Sequence, residues 1–244
     1  MTIRKKLLVT GCGRSGTKYM SVLLRRLGVD VRNESMGRDG VASWCMAVDS
    51  RDSAWGLASA GFSFDHVFHQ VRHPLAVISS AHSFRDVSWQ FICAHAPISI
   101  VEPLTLRCAK YWYYWNLAAE RVADWRYRIE ELPIIFEDYC ERLGLEPNWG
   151  ILDGLSTEVN TRNRGRAFHI YQEICVRLGL KESAFLREAL STDTDTRQSS
   201  VVSWDGLRAL DPVLCEHIQE RALAYGYPAD ITPHANHGYH KTCR

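Results

Sequence analysis

Arg14, Ser15, Thr17 and Lys18 fall within one short turn that also holds Gly11, Gly13 and Gly16. Two cations, two hydroxyls and glycines that leave backbone N–H groups uncovered make a donor set for an anion. The turn follows the apolar run Leu7-Leu8-Val9. It precedes Thr17 to Leu27, where Met20, Val22, Leu23, Leu24 and Leu27 recur at helical spacing before Gly28. In a strand–turn–helix of this kind the helix N-terminus adds its partial positive charge to the grip. A further arginine, Arg72, follows a second strand candidate, Phe64–Val71. Ser80 lies about two turns into the helix that Pro74 can open. The chemistry on offer is the binding of an anionic ligand.

Three phosphate-loop patterns compete for the turn. Gly11, Gly13 and Gly16 satisfy G-x-G-x-x-G, with Asp30 or Glu34 near the distance of a ribose-binding acid, although an arginine inside that dinucleotide loop is unusual. The G-x-x-x-x-G-K-[ST] loop of nucleoside triphosphatases fits at Gly11 and Gly16, but Thr17-Lys18 reverses its last two residues. That pattern keeps open an alternative function, a small-molecule or nucleoside kinase using ATP and magnesium. The run Arg14-Ser15-Gly16-Thr17-Lys18 resembles the 5′-phosphosulfate loop of sulfotransferases, [RK]-S-G-T-[TSK]. Arg72 and Ser80 resemble the same family's strand-end arginine and the serine eight positions later.

The resemblance implies a sulfotransferase that moves a sulfuryl group from 3′-phosphoadenosine 5′-phosphosulfate (PAPS) to an acceptor hydroxyl, leaving 3′,5′-adenosine bisphosphate. It implies an α/β, three-layer P-loop NTPase-like fold with a central, mostly parallel sheet flanked by helices. Gly13, Arg14, Ser15, Gly16, Thr17 and Lys18 would hold the 5′ end of the donor, Arg72 and Ser80 its 3′-phosphate. Tyr19 occupies the position where some members stack a ring on adenine. Protein-tyrosine sulfotransferases carry their catalytic glutamate about as far past the loop arginine as Glu34. Arg14 and Glu34 are therefore the catalytic candidates, with Asp39 in reserve and Trp44 as a wall for the acceptor. The plainer reading of Glu34 is a surface pair with Arg32 or Arg38. Arg126 to Leu132 resembles the family's R-Y-E-D-L strand, with Glu130 structural. Ser203-Trp204-Asp205 and Tyr225-Gly226-Tyr227 recur near its C-terminal end. Arg162, Arg164 and Arg166 match a late basic loop, or form a solvated one.

The elements that position these groups follow from periodicity. A second strand is expected at Val29–Val31, an irregular segment from Arg32 to Trp44, and a loose helix and turn over residues 45–63. A long amphipathic helix is expected from Thr105 to Trp125, and further helices over Ile134–Leu143, Lys181–Leu190 and Asp211–Tyr225. Tyr111-Trp112-Tyr113-Tyr114-Trp115 could pass for a base-stacking platform, but a helix turns these rings to every side, which suits a core. With 244 residues, 46% hydrophobic and 23% charged, the chain suits one domain over residues 1–230 and a polar, His-rich tail over 231–244. A net charge of +1 without a long basic run argues against nucleic acid or a membrane surface as the main partner. Nor does any apolar stretch reach the roughly 18 residues of a membrane span.

Met1 to Lys6 runs straight into the first strand, so no signal peptide is expected and the reading is cytoplasmic. Eight scattered cysteines without a C-x-x-C pair suit reduced thiols. Cys12 reads as a small side chain filling a tight loop, or as a nucleophile at a helix N-terminus. No metal is expected, because alternation puts His66 and His69 on opposite faces of a strand. His234, His237, His240 and Cys243 recur at steps of three, either in a disordered terminus or as metal ligands. The acceptor stays open between sugar, lipid, peptide tyrosine and other hydroxyls, and so does the oligomeric state.

Overall fold

The computed structural model describes residues 2–49, 57, 59–158 and 201–228. Two compact units are distinguished, Met1–Asn148 with Ser200–Arg244, and Trp149–Ser199. Of the sequence expectations, Arg162, Arg164 and Arg166, the helix at Lys181–Leu190 and the His-rich tail lie outside the described residues.

The first unit is an α/β layer structure around five parallel strands in the order β2-β3-β1-β4-β5. The strands are β1 (Ile3–Thr10), β2 (Val31–Asn33), β3 (Gly40–Ala42), β4 (Phe62–Val71) and β5 (Trp125–Arg128). The helices are α1 (Thr17–Arg26), α2 (Pro74–Ala81), α3 (Asp86–His95), α4 (Leu104–Val122) and α5 (Leu132–Arg142). After α6 (Trp149–Glu158), in the second unit, come α7 (Trp204–Leu210) and α8 (Pro212–Ala224). Among the described residues, no helix is long and apolar enough to cross a membrane.

Each element has a local cause. Leu7, Leu8, Val9 and Thr10 are all buried, as befits a strand covered on both faces. Met20, Leu23 and Leu24 turn one stripe of α1 inward, and Arg25 and Arg26 sit in its last turn, where the dipole favours cations. Pro74 opens α2. The side chains of Ser203 and Asp211 accept from Gly206 N at 3.1 Å and Leu214 N at 2.9 Å, capping α7 and α8.

Several boundaries differ from the sequence expectation. The second strand starts at Val31 rather than Val29, because Val29 N–H still reaches back to the Leu24 carbonyl at 2.9 Å, closing α1 beyond Gly28. The segment from Arg32 to Trp44 is not wholly irregular: Gly40–Ala42 pairs with both β1 and β2. Among the described residues of 45–63, Cys45–Ala47 forms a 3-10 turn and β4 starts at Phe62. The long helix stops at Val122, and Trp125 instead pairs with Phe68 in the sheet. The helices α3, α6 and α7 were not marked by periodicity.

Gly40 shows how tightly the sheet is packed. A Cβ there would stand 1.8 Å from the Leu7 carbonyl oxygen, whereas one on Gly154 of α6 meets nothing within 4 Å. Gly40→Ala should therefore destabilise by roughly 2 kcal/mol or more, and Gly154→Ala should shift stability by less than about 1 kcal/mol. Urea unfolding of both variants checks this; equal effects would contradict the close approach.

Candidate functional site

Four strand ends reach the carboxyl edge of the sheet. β1 runs into the glycine loop, β2 ends before Glu34, β3 before Ser43 and β4 before Arg72. From β1 the chain builds β2 and β3 on one side and only then β4 on the other. Such a switch point, at the carboxyl end of parallel strands, is where open sheets hold ligands.

The loop is fixed from below. Gly13 N–H donates to Tyr111 Oη at 2.6 Å, and the Ser15 carbonyl accepts from Gln70 Nε2 at 2.6 Å. Ser15 Oγ donates to the Cys12 carbonyl at 2.6 Å. That hydroxyl, expected to face a ligand, therefore closes the loop on itself, as a fully buried donor must find a partner. Gly16 opens α1 in the left-handed region (φ 101°), with no side-chain cap and no acid in the first turn. The leading N–H groups of α1 thus keep their positive end towards the sheet edge. Thr17 is buried, Tyr19 half-buried and Lys18 exposed.

The two arginine motifs converge. Arg72 Nη1 donates to the Arg14 carbonyl at 3.0 Å, and Arg14 Nε donates to Ser80 Oγ at 3.0 Å. Loop, strand end and α2 thereby form one cationic surface. Behind it, Glu130 accepts from His73 N–H at 3.0 Å and from Tyr227 Oη at 2.8 Å, a bracing role.

Glu34 lies on the other side of the loop. Ser43 Oγ (2.5 Å) and Cys45 Sγ (3.4 Å) donate to its Oε2, and Trp44 N–H (3.4 Å) to its Oε1. Burial pushes the carboxyl up to about 7, against the opposing pull of these donors. The surface-pair reading does not hold, because Arg32 pairs with Asp30 and Arg38 with Asp39. Asp39 is itself structural. It accepts from Asp30 N–H at 2.7 Å, and its bond from Arg38 holds it below the usual carboxylate range. It also precedes β3, at the opposite end of that strand from Ser43. Trp44 links Glu34 to the loop: a Cβ on Gly13 would stand 3.1 Å from its ring.

Among the described residues, Arg14 (φ 75°) and Glu34 (φ 52°) are the two non-glycines with positive φ. A left-handed backbone costs a residue with a side chain about 1–2 kcal/mol. Such strain gathers at functional positions, and here it falls on both catalytic candidates.

The other sequence candidates resolve as structure. Cys12 is buried with Sγ 3.5 Å from the Trp112 carbonyl, and burial raises its thiol well above the ordinary value, which leaves it a packing residue. His82 is tied to the Ile78 carbonyl and Thr105 Oγ1, each at 3.0 Å. His69 is fully buried against Asn116. Among the described residues no group of three His, Cys, Asp or Glu could hold a metal. A separate cleft of about 300 Å³ beside β5 is lined in part by Arg126 and Arg128, but these pair with Glu120 and Glu131.

No family model and no curated protein matches the chain. Sequence reasoning missed Ser43, Gln70 and Tyr111. A polar Gln70 inside an apolar strand was the one visible signal; nothing in the spacing of the aromatic run marks which ring reaches the loop.

The raised carboxyl of Glu34 has a consequence for stability. Between about 4.5 and about 7 the folded protein keeps a proton that the unfolded chain releases, so stability falls as pH rises through that window. Glu34→Gln removes this dependence and should gain on the order of 3 kcal/mol relative to the natural chain between pH 4 and pH 8. Parallel stability–pH curves in urea unfolding would contradict the burial of this carboxyl.

Proposed function

We propose that the chain is a PAPS-dependent sulfotransferase of P-loop NTPase-like fold, acting on a hydroxyl of a small-molecule, glycan or peptide acceptor. The observation that carries this reading is the Arg72–Arg14–Ser80 bridge. It joins the loop motif to the strand-end motif, as a ligand phosphorylated at both ends of one ribose requires. The edge also fits such a donor in its chemistry: an uncapped helix N-terminus, the cations Arg14, Lys18 and Arg72, and the hydroxyl of Ser80.

PAPS supplies an activated sulfuryl group. Arg14, Lys18 and the leading N–H groups of α1 bind the 5′ anion and stabilise the charge that grows on it during transfer. Arg72 and Ser80 orient the nucleotide through its 3′-phosphate. Glu34 takes the acceptor's proton at Oε1, the oxygen that accepts only the 3.4 Å contact from Trp44 N–H. A carboxyl pushed up to about 7 suits that task, since it is ionised above neutrality yet basic enough to accept a proton.

Incubation with sulfur-radiolabelled PAPS and a cell metabolite extract should yield labelled product, and binding should favour 3′,5′-adenosine bisphosphate over ATP. Preference for ATP with magnesium would instead support a kinase. Arg14→Ala should lower turnover by roughly two to three orders of magnitude, the scale of a lost transition-state donor. Turnover should rise with pH to a plateau, with its midpoint at about 7, as Glu34 ionises. In Glu34→Gln the residual rate should lose that rise. Near-normal turnover in Arg14→Ala would overturn the assignment.

A further inference from the structure

The two residues on either side of Arg14 each have a backbone group held by a fully buried side chain. Gly13 N–H, on one side, donates to Tyr111 Oη, and the Ser15 carbonyl, on the other, accepts from Gln70 Nε2, each at 2.6 Å. Neither holder is loose. The ring of Tyr111 packs between Phe84 and Trp115, with centroids 5.4 and 5.2 Å away. Gln70 presents its other amide atom, Oε1, to Tyr127 Oη at 2.7 Å. The loop carries glycine where these side chains come closest: a Cβ on Gly13 would stand 2.9 Å from Tyr111 Oη, and one on Gly16 3.1 Å from Gln70 Nε2. Between the two anchors sits Arg14, left-handed at φ 75°, with its side chain directed to Ser80.

We infer that Tyr111 and Gln70 are positioning residues that act through Arg14. By gripping its two neighbours they hold Arg14 in the left-handed conformation and so fix its guanidinium at Ser80. Neither side chain touches a ligand, because both are fully buried. With one anchor gone, the bonds that remain, from Arg72 to the Arg14 carbonyl and from Ser15 to the Cys12 carbonyl, oppose less strongly the return of Arg14 to the right-handed region that residues with side chains prefer. The guanidinium then swings off Ser80 and the anion loses a placed cation. The inference deepens the proposed function and relies on it only for the identity of the ligand.

Two measurements test it. The first is a double-mutant cycle read by calorimetric binding of 3′,5′-adenosine bisphosphate. Tyr111→Phe should weaken binding roughly tenfold in the natural chain but less than about twofold in an Arg14→Ala background, since its effect passes through that arginine. Equal losses in both backgrounds would show general loop damage and overturn the inference. The second is the Arg14 Nε–H resonance in nitrogen–proton NMR, assigned by its loss in Arg14→Ala. Its hydrogen bond to Ser80 should slow solvent exchange in the natural chain, and Tyr111→Phe or Gln70→Met should speed that exchange. Unchanged exchange in the folded variants would also overturn the inference. Should Tyr111→Phe not fold, Gln70→Met carries both measurements. If the natural chain does not bind the bisphosphate, the sulfotransferase reading fails while the NMR experiment still decides whether the two anchors hold Arg14.

Discussion

The bond from the Arg72 guanidinium to the Arg14 carbonyl ties the end of β4 to the loop after β1, and the geometry of the sheet edge follows from it. The sheet brings the two ends together. β1 and β4 are paired in register from Ile3 with Phe62 to Thr10 with His69, so their chains leave the sheet side by side. For the Arg14 carbonyl to meet Arg72, the loop must take a backbone conformation that costs about 1–2 kcal/mol. Three hydrogen bonds surround that residue, to Gly13 N–H, the Ser15 carbonyl and its own carbonyl. At a net gain near 1 kcal/mol each, and more for a charged donor, together they exceed the strain. The margin is small enough for each bond to matter.

The same edge keeps a carboxylate close to a cationic loop without letting the two neutralise one another. The segment from Asp30 to Asp39 has three acids and two arginines, and they sort by pairing. Asp30 takes Arg32 and Asp39 takes Arg38, each closing a turn around β2 and β3. Glu34 is left with neutral donors from Ser43, Trp44 and Cys45. A cation at that position would lower its proton affinity and weaken it as a base. Burial among neutral donors does the reverse.

The sequence made the sheet edge legible wherever a residue type has one use. Glycines around an arginine after an apolar run, and an arginine before proline after another, were enough to place the loop and the end of β4. What stayed hidden depends on neighbours distant in sequence. Ser15 looks like an anion donor until its burial turns the hydroxyl onto Cys12. β3 is three residues long, too short for alternation to show, and exists because β1 and β2 lie on either side of it. Val29 looks like strand because it is β-branched, but the closing turn of α1 claims its N–H first. Tyr111 and Gln70 contact residues 98 and 55 positions away, beyond the reach of any local pattern.

The aromatic run on α4 gains its meaning from those long-range contacts. Three of its rings are fully buried, and each also carries a polar tip. Tyr111 Oη accepts from the loop at Gly13, Trp112 Nε1 donates to the Arg72 carbonyl at 3.2 Å, and Trp115 Nε1 donates to the Trp44 carbonyl at 2.7 Å. These partners belong to three separate limbs of the site: the loop after β1, the end of β4, and the turn after β3 that holds Glu34. Trp115 follows Tyr111 by four residues and Trp112 by three, so its ring neighbours both along one side of the helix. A single element thus sets the relative placement of the loop arginine, the strand-end arginine and the half-buried carboxylate. Apolar side chains of similar size would fill the same core, but they would leave Gly13 N–H and two carbonyls at the site without these partners. The three rings therefore do for the site what packing alone does for the fold: they turn three independently flexible strand ends into one fixed arrangement of charge.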